Sequence, residues 1–370
     1  MFKILHVMAG ADAGGISTVV LNYYRYMDQT KFHFDIALTT DTVGKNAEEL
    51  VKLGANIVRL PLKSEGIAEF SKELEKILIT GKYNAVHVHE NETSYVALRV
   101  AKKNGIPCRI AHAHTSSPYS SLKGEIRRLS GCVLNSYYAT NVIACGQLAG
   151  ERVFGRFNMR RKKATVLPNA IELEKYLFDN HAREIKRKEL EVEDKFVVGM
   201  IGRISKEKNH SKALEIMQAF HQIVPDGIML IAGNGEDEKN LQKRVVNGNM
   251  EDYVKLLGRR EDANELYMAF DIFMLTSLHE GFPIAGVEAV ASGLPVLLSD
   301  TITKELDVFD NVSYLPLGSI DKWVDRLLFN RNNKTERFDE LSKLKKQGFD
   351  IVASVQKLEN IYAQYVETNL

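Results

Sequence analysis

Short β-rich runs alternate with helix-length segments from one end of this sequence to the other. In the first half the runs are FKILHVM (2–8), FHFDIAL (32–38), NIVRL (56–60), AVHVH (85–89), CRIAHAH (108–114) and NVIAC (141–145). The pattern restarts with FVVGMI (196–201) and continues through GIMLIAG (227–233), YVKLLG (253–258), DIFMLT (271–276) and LPVLLS (294–299). Strand–helix–strand alternation implies a mainly parallel sheet with helices on both faces. The expected fold class is therefore α/β, with two doubly wound, Rossmann-like domains. At 370 residues the chain is too long for one ordinary core, which agrees with two domains. The charged helical stretch HAREIKRKELEVEDK (181–195) carries no strand signal and reads as part of a linker. The expected division is a first domain over 1–175, a linker over 176–194 and a second domain over 195–349. A last helix over 350–370 carries Val355, Leu358, Tyr362 and Tyr365 on one apolar face. That face must be buried, and the expectation is that it packs back on the first domain.

Hydrophobic residues at 45% and charged residues at 26% suit a globular protein. The longest apolar runs are strand-sized, so no membrane-spanning helix is expected. The opening MFKILHVMAGADAGG reads as a first strand rather than a signal peptide. Cys108, Cys132 and Cys145 are odd in number and lack metal-ligand spacing, which points to a reducing, cytoplasmic compartment. The net charge of +1 conceals an asymmetry: residues 1–170 hold 23 Lys and Arg against 14 Asp and Glu. A basic half favours an anionic partner such as a membrane surface or a phosphate ligand. Its densest runs are Arg152, Arg156, Arg160, Arg161, Lys162 and Lys163, and Lys123, Arg127 and Arg128. A solvated face is the plain alternative for both.

In open parallel sheets, ligands sit at the carboxyl ends of the strands. The first strand leads into a loop holding Gly14 and Gly15, then a helix. Such a turn lets backbone approach an anion or sugar, although close strand-to-helix packing accounts for it equally. It lacks the G-x-G-x-x-G pattern of a nicotinamide site. The fifth run ends in His112-Ala-His114-Thr115-Ser116, with both histidines on one face. No carboxylate or cysteine nearby completes a metal site, so no metal is expected there. In the second half, Gly202-Arg203 and Lys208 form a cationic loop at a strand end, suited to a diphosphate. Asn234 lies between Gly233 and Gly235 in the next turn. A later strand leads into Glu280-Gly281-Phe282-Pro283-Ile284, with Glu288 eight residues beyond Glu280. Free N–H groups at that helix start would favour an anion, and a carboxylate at its rim would accept ribose or sugar hydroxyls.

Taken together, these motifs resemble the family 4 retaining glycosyltransferases of the GT-B fold, in the bacterial branch that builds capsular and exopolysaccharides. The two glutamates match that family's E-x7-E motif, and the resemblance spans nearly the whole chain. It implies two Rossmann-like domains facing a central cleft. Arg203 and Lys208 then match the pair on the donor diphosphate, Glu288 the ribose-holding glutamate, and Glu280 the glutamate near the donor sugar. Gly281, Phe282, Pro283 and Ile284 match the loop whose backbone approaches sugar and phosphate. Gly202 and Asn234 fall in turns beside the donor, and Gly15 matches the first loop near the diphosphate. His114 matches the histidine that contacts the transferred sugar, with His112 the second choice. Arg259 and Arg260 fall where the base is held.

The resemblance implies transfer of a sugar from a nucleotide-sugar, most simply UDP-linked, with retention of configuration. Glycosyl transfer builds negative charge on the departing diphosphate, which preorganised positive charge would stabilise. The sequence has no Asp-x-Asp to hold Mg²⁺, so a metal-independent reaction without cofactor is the expectation. The basic half suits a glycan or polyprenyl-diphosphate-linked acceptor at the inner membrane face, and Ser117–Arg128 is the segment proposed to touch headgroups. Other readings of the same sequence are a nucleotide-sugar 2-epimerase of the same architecture and a non-catalytic sugar-nucleotide-binding protein. Nucleic acid is not expected as a partner, because no zinc spacing or RNA-binding aromatic signature accompanies the charge.

Overall fold

The computed structural model describes residues 1–11, 15–40, 44–114, 121–161, 164–333 and 336–365, with Arg161 described by its backbone alone. The chain forms two compact units. One comprises Met1–Ile171 with Asp350–Leu370, the other Glu172–Phe349.

The first unit is built on seven parallel strands: β1 (Phe2–Met8), β2 (Phe32–Leu38), β3 (Asn56–Arg59), β4 (Ala85–Val88), β5 (Cys108–Ala113), β6 (Asn141–Ala144) and β7 (Thr165–Val166). Their order is β3-β2-β1-β4-β5-β6-β7. Burial runs continuously along β1, β2, β4 and β5, interrupted only by Lys3, His33 and Arg109. Strands covered on both faces read this way, in place of the alternation of a half-exposed sheet. Helix Ile351–Ala363 starts at Asp350, whose carboxylate accepts from the Val352 N–H. Its Tyr362 ring lies among Phe2, Phe32 and Phe34, and its Glu359 accepts from the Asp28 N–H at 2.8 Å. Tyr365 donates to Asn141 at the start of β6, at 2.6 Å. The apolar face of this helix is thus spent inside the first unit.

The second unit has six parallel strands: β8 (Phe196–Ile201), β9 (Gly227–Ala232), β10 (Val254–Gly258), β11 (Ile272–Leu275), β12 (Val296–Ser299) and β13 (Val312–Leu315). Their order, β10-β9-β8-β11-β12-β13, repeats the wiring of the first six strands of the first unit. Each sheet reverses direction of growth beside its first strand, at β1/β4 and at β8/β11, and the loops above those points are where such folds bind ligands.

The stretch expected as a linker is part of this unit. Helix Asn180–Glu189 is capped by Asp179 and docks through its charges. Arg183 donates to the Met268 and Phe270 carbonyls, both at 2.8 Å, and pairs with Asp271. The Arg187 guanidinium reaches the same Asp271, and Lys186 reaches Asp262, Glu189 and Glu265. The stretch is helical as expected, but its polar composition concealed the docking, because its buried contacts are charged hydrogen bonds and ion pairs instead of apolar packing. A cavity of this unit, lined by Arg183, Arg187, Asp271 and Arg337 among others, opens beside Phe196, Asp226 and Pro295. Those residues lie at the amino ends of the strands, away from the ligand-binding edge.

Candidate functional site

Three loops interlock at the carboxyl edge of the second sheet. A Cβ on Gly233 would lie 1.8 Å from the Gly202 carbonyl oxygen, and one on Gly235 would lie 2.2 Å from that of Ile204. Only glycine allows the turns after β8 and β9 to meet backbone to backbone. The Ile204 N–H donates to the Asn234 carbonyl at 2.9 Å, which ties the turns together. The loop after β11 joins them: the Leu278 N–H donates to Glu207 at 2.7 Å, and the Thr276 hydroxyl to Asn209 at 3.0 Å. On this frame the Lys208 ammonium pairs with Glu280, whose Oε1 also accepts from Ser277 at 2.7 Å. Arg203 is largely exposed, with Glu236 at 3.6 Å. The edge therefore presents a fixed ammonium and a loosely held guanidinium beside a row of open turns.

The helix that follows is Ile284–Ala291, begun by Pro283. Its start is less open to an anion than the sequence suggested. The Ile284 N–H turns back to Phe282 at 3.1 Å, and that of Gly286 to Pro283 at 2.9 Å. Phe282 buries its ring towards Phe349, while Gly281 stays partly accessible. One turn along, Glu288 accepts from two tyrosines: Tyr176 at 2.8 Å on Oε1 and Tyr267 at 2.7 Å on Oε2. Burial raises the Glu288 pKa, against the pull of both hydroxyls. Each oxygen keeps a second lone pair for another donor. Asn234 and Arg259 are exposed. Arg260 is engaged elsewhere, pairing with Asp262 at 2.6 Å and Glu189 at 2.8 Å.

In the first unit, Gly15 opens helix Gly15–Tyr26, and a Cβ there would meet nothing within 4 Å. Packing does not demand glycine at this position. Gly14 lies outside the described residues, as do Thr115, Ser116, the start of the Ser117–Arg128 segment, Lys162 and Lys163. His112 and His114 belong to a larger array that the sequence reading missed. The register β1–β4–β5 brings His6, His87, His89, His112 and His114 onto one face. Tyr362 shares a hydrogen bond with His87 Nδ1 (2.7 Å), and His87 Nε2 with His112 Nδ1 (3.1 Å). Beside this line, His6 Nδ1 meets His89 Nε2 (2.9 Å), and His89 Nδ1 meets His114 Nε2 (2.8 Å). His112 is buried in the strand interior, whereas His114 stands just past the end of β5, its backbone N–H donating to the Asn91 side-chain oxygen at 2.8 Å.

Burial keeps these rings neutral. It pushes His6 and His114 down to about 3, and it holds His87, His89 and His112 well below the ordinary value, with neighbouring imidazoles adding to the effect. Two groups, His6–His87–His89 and His89–His112–His114, hold nitrogens within 4.8 Å of one another. His89 belongs to both and has both nitrogens engaged, so a cation in either group would break a ring-to-ring hydrogen bond. The run Val-His-Val-His-Glu (86–90), which spans the end of β4, was the sequence signal for this array. What could not be read was the register that sets it beside His6.

Two family descriptions divide the chain: residues 13–175 match Glycosyltransferase Family 4, and residues 181–344 match Glycosyl transferases group 1. The putative glycosyltransferase EpsF of Bacillus subtilis is 31% identical over 97% of this chain and 96% of its own length. The chain belongs to the family 4 glycosyltransferases. A second relative of this glycosyltransferase is the Escherichia coli UDP-Gal:alpha-D-GlcNAc-diphosphoundecaprenol alpha-1,3-galactosyltransferase, 27% identical over 98% of this chain and 97% of that one. The Staphylococcus aureus capsular polysaccharide biosynthesis glycosyltransferase CapM is 29% identical over 47% of each chain. Among solved structures, Anabaena HepE in complex with UDP has a TM-score of 0.77 at 19% identity, covering 99% of each chain. That likeness shows the fold: two parallel-sheet, Rossmann-like domains of the GT-B class. No helix among the described residues is long and apolar enough to cross a membrane.

Proposed function

We propose that this glycosyltransferase moves a sugar from a UDP-sugar to a lipid-linked glycan acceptor in cell-surface polysaccharide biosynthesis, with retention and without a metal. The observation that carries the reading is the second unit's carboxyl edge, where Lys208, held by Glu280 and Ser277, stands over the glycine turns after β8 and β9. An ammonium has three donors, so Lys208 keeps Glu280 while reaching a diphosphate oxygen. Arg203, exposed and weakly paired, closes on the same group. Together they stabilise the charge that builds on the leaving diphosphate as the oxocarbenium-like centre forms. Glu280 meets the donor sugar, the backbone of Gly281–Ile284 and the turns at Gly202 and Asn234 line it, and Glu288 holds the ribose. Arg259 lies towards the base, Gly15 near the diphosphate, and His114 against the transferred sugar. The leaving phosphate takes the acceptor's proton. The names of the relatives, one acting with UDP-Gal on a diphosphoundecaprenol-linked sugar, support the donor and acceptor classes.

The acceptor class implies work at a membrane surface, and the first unit has a face for it. Helix Leu122–Tyr138 exposes Leu122, Ile126, Leu129, Val133 and Tyr137, each by 55% to 79%. These fall at helical spacing along one side, beside Lys123 and Arg127. An apolar stripe bordered by cations suits the interface of an anionic bilayer, giving reversible, peripheral attachment at the inner face of the plasma membrane.

The test is a donor screen on the full chain: UDP-glucose, UDP-galactose, UDP-N-acetylglucosamine, UDP-N-acetylgalactosamine and GDP-mannose, with EDTA and a polyprenyl-diphosphate-linked sugar acceptor. Expected is UDP release from one donor, a product of retained anomeric configuration, and a loss of about 10²-fold or more in kcat with Lys208→Ala. A requirement for added Mg²⁺ would overturn metal independence, and an inverted product would overturn retention. Conversion of the sugar with its nucleotide still attached, or no nucleotide binding by calorimetry, would overturn the transferase assignment to this site.

A further inference from the structure

The five histidines of the first unit form two hydrogen-bonded lines, and the nitrogens without partners fall at their ends. In the line His6–His89–His114, three rings offer six nitrogens, and four are spent on the two ring-to-ring contacts. The two that remain, His6 Nε2 and His114 Nδ1, are both covered and have no partner. A neutral imidazole carries one proton, on one nitrogen only. Each N···N contact must hold one proton and one lone pair. These two conditions leave the line only two arrangements. Either all three rings are Nδ1–H, with His6 Nε2 a bare lone pair and His114 Nδ1–H a donor, or all three are Nε2–H, with a buried N–H at His6 and a bare acceptor at His114. No mixed state satisfies both contacts.

Location separates the two. His6 is 1% exposed in the middle of the sheet, and an N–H stranded there has no acceptor. His114 stands just past the end of β5, at the sheet's ligand-binding edge. The Nδ1–H arrangement moves the unpaired donor from the interior to that edge, on a partly exposed residue, where a ligand oxygen that displaces the atoms covering Nδ1 can accept it.

We propose that His6, His89 and His114 hold one shared tautomer, and that His6 and His89 are positioning residues that present the His114 Nδ1–H as a neutral donor to an oxygen of the substrate. This rests on the reading of His114 as a residue that meets the transferred sugar. It assigns that contact a direction: the ligand atom is an acceptor, a hydroxyl lone pair or a phosphate oxygen. It also removes His114 as the base that takes the acceptor's proton, because its Nδ1 carries a proton and its Nε2 is occupied by His89.

The test has two readouts on the full chain. With ¹⁵N-labelled histidine, two-bond ¹H–¹⁵N spectra distinguish Nδ1–H, Nε2–H and imidazolium, and single His→Phe variants assign the rings. The expected result is the Nδ1–H pattern for all three. A mixed pattern, a shared Nε2–H pattern or an imidazolium among them overturns the proposal. The second readout is kinetic, with whichever UDP-sugar of the donor screen turns over. His89→Phe keeps the ring but removes both hydrogen bonds, and is expected to lower kcat by about tenfold or more with KM changed little, as misorientation does. His89→Asn, whose amide can still donate towards His114 Nε2, should recover part of that loss. Equal kcat in wild type and His89→Phe overturns the positioning role. Should His89→Phe fail to fold, His6→Phe tests the line from its far end, with loss of the single Nδ1–H pattern at His89 or His114 expected and an unchanged pattern counting against the coupling. If no donor turns over while the three rings share the Nδ1–H tautomer, the functional reading has failed and the shared tautomer stands.

Discussion

Glu288 has two duties that oppose each other. As the proposed ribose ligand it must be a carboxylate, yet it sits where burial disfavours the charge, with Tyr176 and Tyr267 as its compensation. Its pKa in the folded state is raised. The folded chain therefore binds this proton more tightly than the unfolded chain, and stability falls as pH rises through the interval between the ordinary glutamate value and the raised one. Above that interval the ionised group costs stability. Glu288→Gln is expected to leave the melting temperature at pH 7 unchanged or higher, because the amide still pairs with both hydroxyls and carries no charge. The same change should weaken UDP binding by about tenfold, the scale of one charge-assisted hydrogen bond. Paired thermal melts and calorimetry decide it. A lowered melting temperature would mean that the carboxylate is structural. Unchanged UDP affinity would remove Glu288 from the donor site.

Helix Leu122–Tyr138 shows how an element can be legible while its role is not. The amphipathic spacing is in the sequence, but a stripe at that spacing is ordinarily the buried side of a helix. Here the buried positions include the small or polar residues Gly124, Gly131, Asn135 and Ser136, and the apolar side faces out. Gly131 is at 131 because a Cβ there would lie 2.3 Å from the Glu92 carbonyl oxygen. If the stripe docks on lipid, Ile126→Asp with Val133→Asp should leave the fold intact, since both side chains are exposed. Binding to phosphatidylglycerol-containing vesicles in flotation should fall by at least about tenfold, as two buried side chains of this size would require. Equal flotation of the double variant and wild type would exclude this face. Elsewhere the same logic separates what was readable. The strands with long apolar runs stood out, whereas β7, two residues long, and β13, partly exposed along its length, carry no such run. The docking of helix Asn180–Glu189 was hidden by its own charge, and the histidine array by a register that only pairing reveals. The placement of Arg203, Lys208, Glu280 and Glu288 was legible because they lie in loops, or in the short helix, that directly follow strands.

The two units repeat one topology but differ in their response to acid. The first holds five histidines kept neutral by burial, while in the second His210 is pushed down to about 4. An unfolded histidine takes a proton near pH 6.5. Below that point the unfolded chain binds more protons than the folded one, so stability declines as pH falls, and goes on declining until the folded values are reached. Each fully developed histidine contributes about 1.4 kcal/mol per pH unit. Depressed carboxylates such as Asp35 begin to act only nearer their own ordinary range, so the interval from about pH 6.5 to 5 belongs to the histidines. The single tryptophan, Trp323, is fully buried in the second unit and reports that unit alone. On acid titration, far-UV circular dichroism should therefore lose part of its amplitude at a pH where Trp323 emission is still native. His6→Phe should flatten the dependence of stability on pH near pH 5 by about one proton, in urea melts followed by circular dichroism. Coincident transitions by the two probes would mean that the units unfold together. An unchanged slope in His6→Phe would mean that this ring is already charged in the fold, and the neutral array, with the donor role it gives His114, would fall with it.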